Sequence, residues 1–172
     1  MATIICDDFE RITKNRKKLE KVLKVKIANS EKEVILEGSP EDEFIATKVL
    51  DALGMGFSFS DALSIKKHEL EFDILNIKDY ARRGNLVKIR GRIIGKNGKT
   101  LSTLSELTKC SLELKNNEIG IIGDPERIKP AIEAVIQIIQ GSKHANVYKG
   151  LEKRKEDPVL DLGLKEKKNK NL

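Results

Sequence analysis

The stretch IIGKNGKT, Ile93 to Thr100, sets two glycines among basic residues ahead of a helical pattern, and its reading decides the fold. A nucleotide phosphate loop needs a glycine, four further residues and then Gly-Lys-Ser/Thr, because its amides must wrap a triphosphate before the lysine reaches the outer phosphates. Gly98-Lys99-Thr100 supplies the end of that pattern, but the position five before Gly98 is Ile93. The nucleotide loop fails at its first glycine. What remains is Gly95-Lys96-Asn97-Gly98, a GxxG whose glycines let the backbone lie close against a sugar-phosphate chain. The same four residues also suit an ordinary surface turn, so the flanks must choose.

The 172 residues, 39% hydrophobic and 35% charged with no Trp, have the composition of a soluble globular chain, enough for one ordinary domain or two small ones. No apolar run approaches a membrane span, and the opening MATIICDDFER carries acids where a secretory signal carries bases, so a cytoplasmic protein is expected. Cys6, Cys110, His68 and His144 are the whole complement of cysteine and histidine, and none falls at zinc-ligand spacing. No metal and no cofactor are expected, and the two thiols are read as reduced and buried. No Ser-His-acid or Cys-His arrangement has recognisable context, so no catalytic residue is assigned and no enzyme is expected.

The net charge of +6 is unevenly spread. Met1 to Phe57 holds 10 bases and 11 acids, whereas Tyr80 to Lys115 holds 9 bases and 2 acids. A lysine-rich surface alone would not gather positive charge around the GxxG; a nucleic-acid footprint would.

Sliding the chain along itself finds a repeat. EVILEGSPEDEFIATKVLDALGMG, Glu33 to Gly56, matches EIGIIGDPERIKPAIEAVIQIIQG, Glu118 to Gly141, without a gap. Glu33, Gly38, Pro40, Glu41, Ala46 and Gly56 fall on Glu118, Gly123, Pro125, Glu126, Ala131 and Gly141. The same offset sets Leu19 on Leu104 and keeps Val22, Val25 and Ile27 on Leu107, Cys110 and Leu112. The chain reads as a duplicated domain.

In the second copy LVKIRG alternates as a strand, RIIGK makes a short helical turn into the GxxG, and KTLSTLSELT puts Leu101, Leu104 and Leu107 on one helical face. CSLELK and EIGIIG are strands around a turn at Asn116-Asn117. Asp124 as N-cap and Pro125 at the first helical position open the last helix, as Ser39 and Pro40 do in the first copy, and Pro130 is expected to kink it. At the repeat offset, Gly95 to Gly98 falls on Glu10-Arg11-Ile12-Thr13, which has neither glycine and follows Asp7 and Asp8. Side chains there hold a phosphate chain off and the acids repel it, so the first copy is expected to bind RNA poorly. Between the copies the chain has no Pro and little Gly or Ser; a helix at 61–66, a strand at 70–77 and a helical turn at 79–83 are expected to join them rigidly. GSKHANVYKGLEKRK follows as a helix with Val147 and Leu151 on one side, and residues 157–172 read as a disordered basic tail.

The order strand, helix, GxxG, helix, strand, strand, helix resembles the eukaryotic-type KH module. In that family the turn holds the backbone of about four unpaired nucleotides while an apolar groove takes the bases. The resemblance implies an α+β fold of two tandem type I KH-like domains, each a three-stranded antiparallel sheet with helices on one face. It divides the chain into a degenerate domain without GxxG at 1–57, a structured connector at 58–80, a KH domain with GxxG at 81–156 and the tail at 157–172. It implies phosphate contact at Gly95, Lys96, Asn97 and Gly98 with Arg92 and Lys99 flanking, and a groove supported by Ile94 and Leu101 with Leu112 in its wall. For at least two of those three apolar residues plain core packing is the expected role.

GRIIGKNGKTL, the GFSFSDAL connector, the LEFDI strand, the Tyr80-Ala81-Arg82-Arg83 turn and the HANVYKGLEKRK segment together resemble the archaeal branch of the partner-of-Nob family of ribosome-assembly factors. That resemblance implies a non-enzymatic factor that holds single-stranded small-subunit ribosomal RNA near its 3′ end. Its implied partners are a Nob-type endonuclease and the pre-ribosomal small subunit. His144, Tyr148, Lys149 and Arg154 become candidate contacts for RNA or a partner, although a helix cap and a solvated basic helix account for them equally. The alternatives are a protein adaptor whose modules have both lost RNA binding, and a general KH subunit of another RNA-processing complex.

Overall fold

The structure, a computed structural model, describes residues 1–6 and 8–156; the expected basic tail lies outside them. The first half runs β1 (Ala2–Ile5), α1 (Phe9–Lys14), α2 (Arg16–Leu23), β2 (Lys26–Ser30), β3 (Glu33–Glu37) and α3 (Pro40–Met55). After α4 (Phe59–Lys67) the second half repeats the order as β4 (Glu71–Asn76), the short α5 (Ile77–Tyr80), α6 (Leu86–Ile94), a single 3-10 turn at Lys96–Gly98, α7 (Lys99–Thr108), β5 (Ser111–Lys115), β6 (Glu118–Gly123) and α8 (Pro125–Ile139). A last helix, α9 (His144–Glu156), follows. The result is an α+β chain with two three-stranded antiparallel sheets, ordered β1-β3-β2 and β4-β6-β5.

The duplication extends to backbone detail. Lys24 and Lys109, Glu31 and Asn116, and Gly56 and Gly141 pair off at the repeat offset, and all six have positive φ. Each pair ends a helix or opens a hairpin turn, where a left-handed residue reverses the chain. A Cβ on Gly38 would stand 2.9 Å from Val25 Cγ1, and one on Gly123 would stand 2.3 Å from Cys110 Sγ. Val25 and Cys110 are themselves repeat partners, so both copies seat a side chain in the notch left by a glycine.

Two local readings change. The six residues from Leu86 to Gly91 are helix rather than strand. Asn85 Oδ1 caps the helix by accepting from the Val87 amide at 2.8 Å, and Ile89 and Ile93, one turn apart, are both buried. Six residues of alternation could not separate the two periods; the cap and the turn beyond them do. The strand of that place in the sheet is β4, from the stretch read as connector, paired to β6 with Ile74 opposite Gly120. Asp124 stands at the N-cap position in extended conformation, but its side chain accepts no capping bond, whereas Ser39 accepts one from the Asp42 amide. α8 continues through Pro130 to Ile139.

The first core gathers around Leu19, Leu23, Ile27, Leu36, Leu50 and Leu53, the second around Ile93, Leu104, Ile119, Ile121, Val135 and Ile138. Ile122 belongs to the first core although it lies on β6. Phe57, fully buried, meets Phe72 edge to face at 6.0 Å, and a Cβ on Gly120 would stand 2.6 Å from the Phe57 ring. Lys115 Nζ donates to the Gly54 carbonyl at 2.7 Å. The second sheet is therefore covered on both faces, not one, and every residue of β6 after Glu118 is buried. Residues on β3 alternate, as a strand with one buried face should.

Gly123→Ala is expected to destabilise the protein by about 1–3 kcal/mol in urea unfolding, because the Cys110 side chain has nowhere to go. Adding Cys110→Ala should return most of that loss; a double variant no better than the single one would show that the notch is not the cause.

Candidate nucleic-acid interface

The turn after α6 is built from left-handed residues: Gly95 has φ 74°, Asn97 φ 56° and Gly98 φ 73°. Lys96, Asn97 and Lys99 are exposed on it. The two glycines are required for different reasons. A Cβ on Gly95 would fall 2.1 Å from Thr100 Oγ1 and 2.7 Å from the Thr100 amide nitrogen, so Gly95 is needed for close approach. A Cβ on Gly98 would meet nothing within 4 Å, so Gly98 is needed for its handedness and leaves open space above the backbone. α7 starts directly behind, and no side chain caps its first amides. A turn with open backbone, two lysines and an uncapped helix N-terminus is suited to an anionic chain.

Beside the turn, Ile94 is exposed while Leu101 and Leu112 are half-buried against the second core. Leu101 and Leu112 are thus partly core, as expected of at least two of the three. Val87, Gly91 and Ile94 lie on one face of α6, opposite buried Ile89 and Ile93; Val87 is 63% exposed, and a Cβ on Gly91 would meet nothing within 4 Å. Sequence reading assigned Ile94 but missed Val87 and Gly91 because it took Leu86 to Gly91 for a strand; spacings of four and three residues were the available signal. Arg90, also unassigned from sequence, reaches from α6 to the Asn116 carbonyl at 3.5 Å. Glu113 on β5 is held above the ordinary carboxylate range by burial and then by the negative charge of Asp61.

Arg92 is not a flank of the turn. Its guanidinium donates to the carbonyls of Ile138 at 2.8 Å and of Ser142, which holds the end of α8 against α6. The spacing to the GxxG suggested a phosphate contact; the guanidinium instead goes to one carbonyl at the end of α8 and one just beyond it. His144 is likewise engaged. Its Nε2 lies 2.8 Å from the Arg92 carbonyl, which can only accept, so that nitrogen carries the hydrogen. Tyr148 is half-buried with its ring 6.2 Å from that of His144, Lys149 is exposed, and Arg154 pairs with Glu133 at 2.7 Å on the surface.

The first copy contains the same anchor. Arg11 donates to the Leu53 and Phe57 carbonyls, the repeat partners of Ile138 and Ser142. Eight positions separate Arg11 from Leu19 and twelve separate Arg92 from Leu104, so the first copy is four residues shorter across the turn. The residue in place of the turn is therefore Asn15, not Glu10 to Thr13. Its φ of −113° joins α1 to α2 with no left-handed residue, and its neighbours are Lys14, Arg16, Lys17 and Lys18. The ungapped offset concealed this shortening. The glycines are still missing, but Asp8, one of the expected acids, is the N-cap at the other end of α1.

Among the described residues no group of three or more His, Cys, Asp or Glu could hold a metal ion, and no helix is long and apolar enough to cross a membrane. Cys6 and Cys110 form no disulfide; Cys110 is buried, which pushes its thiol up, and Cys6 is half-buried.

Residues 71–156 match the family model for the second KH domain of PNO1 proteins, described as a eukaryotic-type KH domain (KH-domain type I). The KH domain-containing protein MJ0443 of Methanocaldococcus jannaschii is 30% identical over 148 residues, covering 82% of this chain and 65% of that protein. The pre-rRNA-processing protein PNO1 of Chaetomium thermophilum is 29% identical over 106 residues, covering 59% of this chain and 41% of that one. The chain thus spans about two thirds of the first relative and two fifths of the second. Among solved structures, Dim2p of Pyrococcus horikoshii superposes with a TM-score of 0.80 at 27% identity, over 89% of this chain and 98% of that one. The P. horikoshii complex of a/eIF2alpha, aDim2p and rRNA matches with a TM-score of 0.80 at 30% identity, over 91% and 94%.

Arg92→Leu is expected to lower the unfolding free energy by about 2 kcal/mol, the scale of charge-assisted bonds to buried carbonyls; a variant as stable as the parent would contradict the anchor. Gly98→Ala should cost about 1–2 kcal/mol through handedness alone. Gly95→Ala should cost more, and Thr100→Ala should not rescue it because the Thr100 amide still obstructs the Cβ. Equal losses at the two glycines would sink that distinction.

Proposed function

The chain belongs to the PNO1 and Dim2 family of KH-domain rRNA-processing proteins, and from that premise we propose that it holds single-stranded small-subunit ribosomal RNA near its 3′ end through the Gly95–Gly98 turn. The observation that carries this reading is the turn itself, with three left-handed residues in four that lay open backbone and two lysines beside an exposed apolar helix face. The backbone of the RNA runs along Gly95, Lys96, Asn97, Gly98 and Lys99, and its bases lie toward Ile94, Leu101 and Leu112, with Gly91 allowing close approach to α6. Affinity rests on phosphate contacts and on the groove. Relatives named as pre-rRNA-processing proteins, and a related chain in complex with rRNA, support the choice of RNA.

The two KH-like modules act as one rigid body, a reading supported by Ile122, Phe57 and the Lys115 bond between them. The first module, without left-handed residues at its turn, serves as scaffold or as a docking face for protein. The chain works in the pre-ribosomal small subunit, in the cytoplasm, positioning the RNA for a Nob-type endonuclease and doing no chemistry itself.

Lys96→Asp with Asn97→Asp is expected to weaken binding to a labelled strand matching the 3′ end of small-subunit rRNA by at least about tenfold and to flatten the salt dependence by about one phosphate contact. The circular dichroism melt should be unchanged, since both side chains are exposed. Undiminished affinity in a folded double variant would refute the clamp.

A further inference from the structure

α9 lies outside the repeated unit, yet it is tied to the helix that ends in the turn. His144 Nε2 donates to the Arg92 carbonyl, three residues before Gly95, and the Arg92 guanidinium holds the Ser142 carbonyl just ahead of α9. The start of α9 is thereby fixed beside the end of α6. Val147 and Leu151 are buried against the second core, and Leu151 and Arg154 share a surface hollow with Leu107, Thr108 and Lys109 at the far end of α7. α9 therefore runs alongside α7 in the same direction, and its first two turns flank the end of α7 that carries the clamp.

On those turns stands Tyr148, half-buried against the core, with the tilted His144 ring 6.2 Å away on one side and exposed Lys149 next in the chain. The chain has no Trp, two Tyr and five Phe, so an accessible aromatic ring next to a polynucleotide clamp is a scarce feature here. A ring supported from behind by the core loses little freedom when a base stacks on it, and base stacking on aromatic rings tolerates any sequence.

Resting on the RNA clamp proposed above, we infer that the first two turns of α9 form an additional nucleotide subsite. The base next to the clamped four stacks on Tyr148, its phosphate is met by Lys149, and His144 acts as the positioning residue that locks the platform to the clamp.

The test uses the full chain carrying Tyr80→Phe, so that Tyr148 is the sole tyrosine. Its fluorescence should be quenched by an eight-nucleotide strand from the 3′ end of small-subunit rRNA and not by the four-nucleotide core. Tyr148→Leu should weaken the longer strand about tenfold, the scale of one base–aromatic stack, and leave the shorter unaffected; Tyr148→Phe should bind like the parent. An unquenched tyrosine, or eight-nucleotide affinity indifferent to Tyr148→Leu, overturns the subsite even if that variant packs poorly, since the fluorescence needs no change at position 148. Quenching that persists while Lys96→Asp with Asn97→Asp leaves affinity untouched would remove the clamp and keep the platform. A clamp-dependent affinity without quenching would do the reverse.

Discussion

An arginine one turn before the GxxG, clasping two carbonyls at the end of the long helix of its own module, is the constraint on which the interface depends. Arg92 holds Ile138 and Ser142, and Arg11 holds Leu53 and Phe57 in the same way. A turn with three left-handed residues is held by few bonds: the Gly95 amide to the Gly91 carbonyl at 2.8 Å, the Gly98 amide to the Gly95 carbonyl at 3.2 Å, and the Lys99 amide to the Lys96 carbonyl. Its position is set from outside, by buried Ile93 and Thr100 on either side and by the arginine behind. An arginine suits this role because its fork reaches two acceptors and stays charged at any ordinary pH. The residue that looks most like an RNA contact from its charge is thus the one that gives the contacts a stable place to stand.

The two copies separate what the fold needs from what the interface needs. The anchor, the glycine notch, the left-handed helix ends and the buried leucine of the second helix persist in both. Between the arginine and that leucine the first copy lacks four residues in all, from the turn and the first part of the helix behind it. Removing them leaves a tight joint at Asn15 and a closed backbone, even though the surrounding lysines and arginine keep the local charge positive. Positive charge alone attracts a polynucleotide without positioning it. Backbone access at the turn distinguishes the second module from the first.

Much of this was legible in the chain. The repeat fixed β3, α3, β6 and α8 because glycine, proline and an acid recur at positions where the backbone must turn or start a helix, and those needs do not depend on distant contacts. α6 was misread because Leu86 to Gly91 satisfies both periods over so short a window, and the deciding burial of Ile89 and Ile93 belongs to tertiary structure. Arg92, expected to flank the turn, and His144, open between a contact and a cap, show a related limit: a polar side chain near a candidate site looks functional until the carbonyl it satisfies is known. The first-copy turn was misplaced because an ungapped offset cannot show a deletion between two well-matched segments. Only the matching bonds of Arg11 and Arg92 reveal it.

The coverage of β6 has consequences for the second module taken by itself. A sheet with one buried face alternates, and β3 does; β6 carries Ile121 inward and Ile122 outward, with Gly120 shaped to the Phe57 ring. Cutting the chain before the second module would expose Ile122 and leave an empty notch over Gly120. Cutting after β4 would remove an edge strand and leave β6 with an unpaired edge. Glu113, raised by burial and by Asp61 of α4, loses that desolvation if the modules part, so its protonation favours the joined form and its charge opposes it. The apolar contact between the modules has to outweigh that opposition at neutral pH. A fully buried phenylalanine set against a glycine that leaves room for it is an interaction of the required kind, directional and intolerant of any larger side chain.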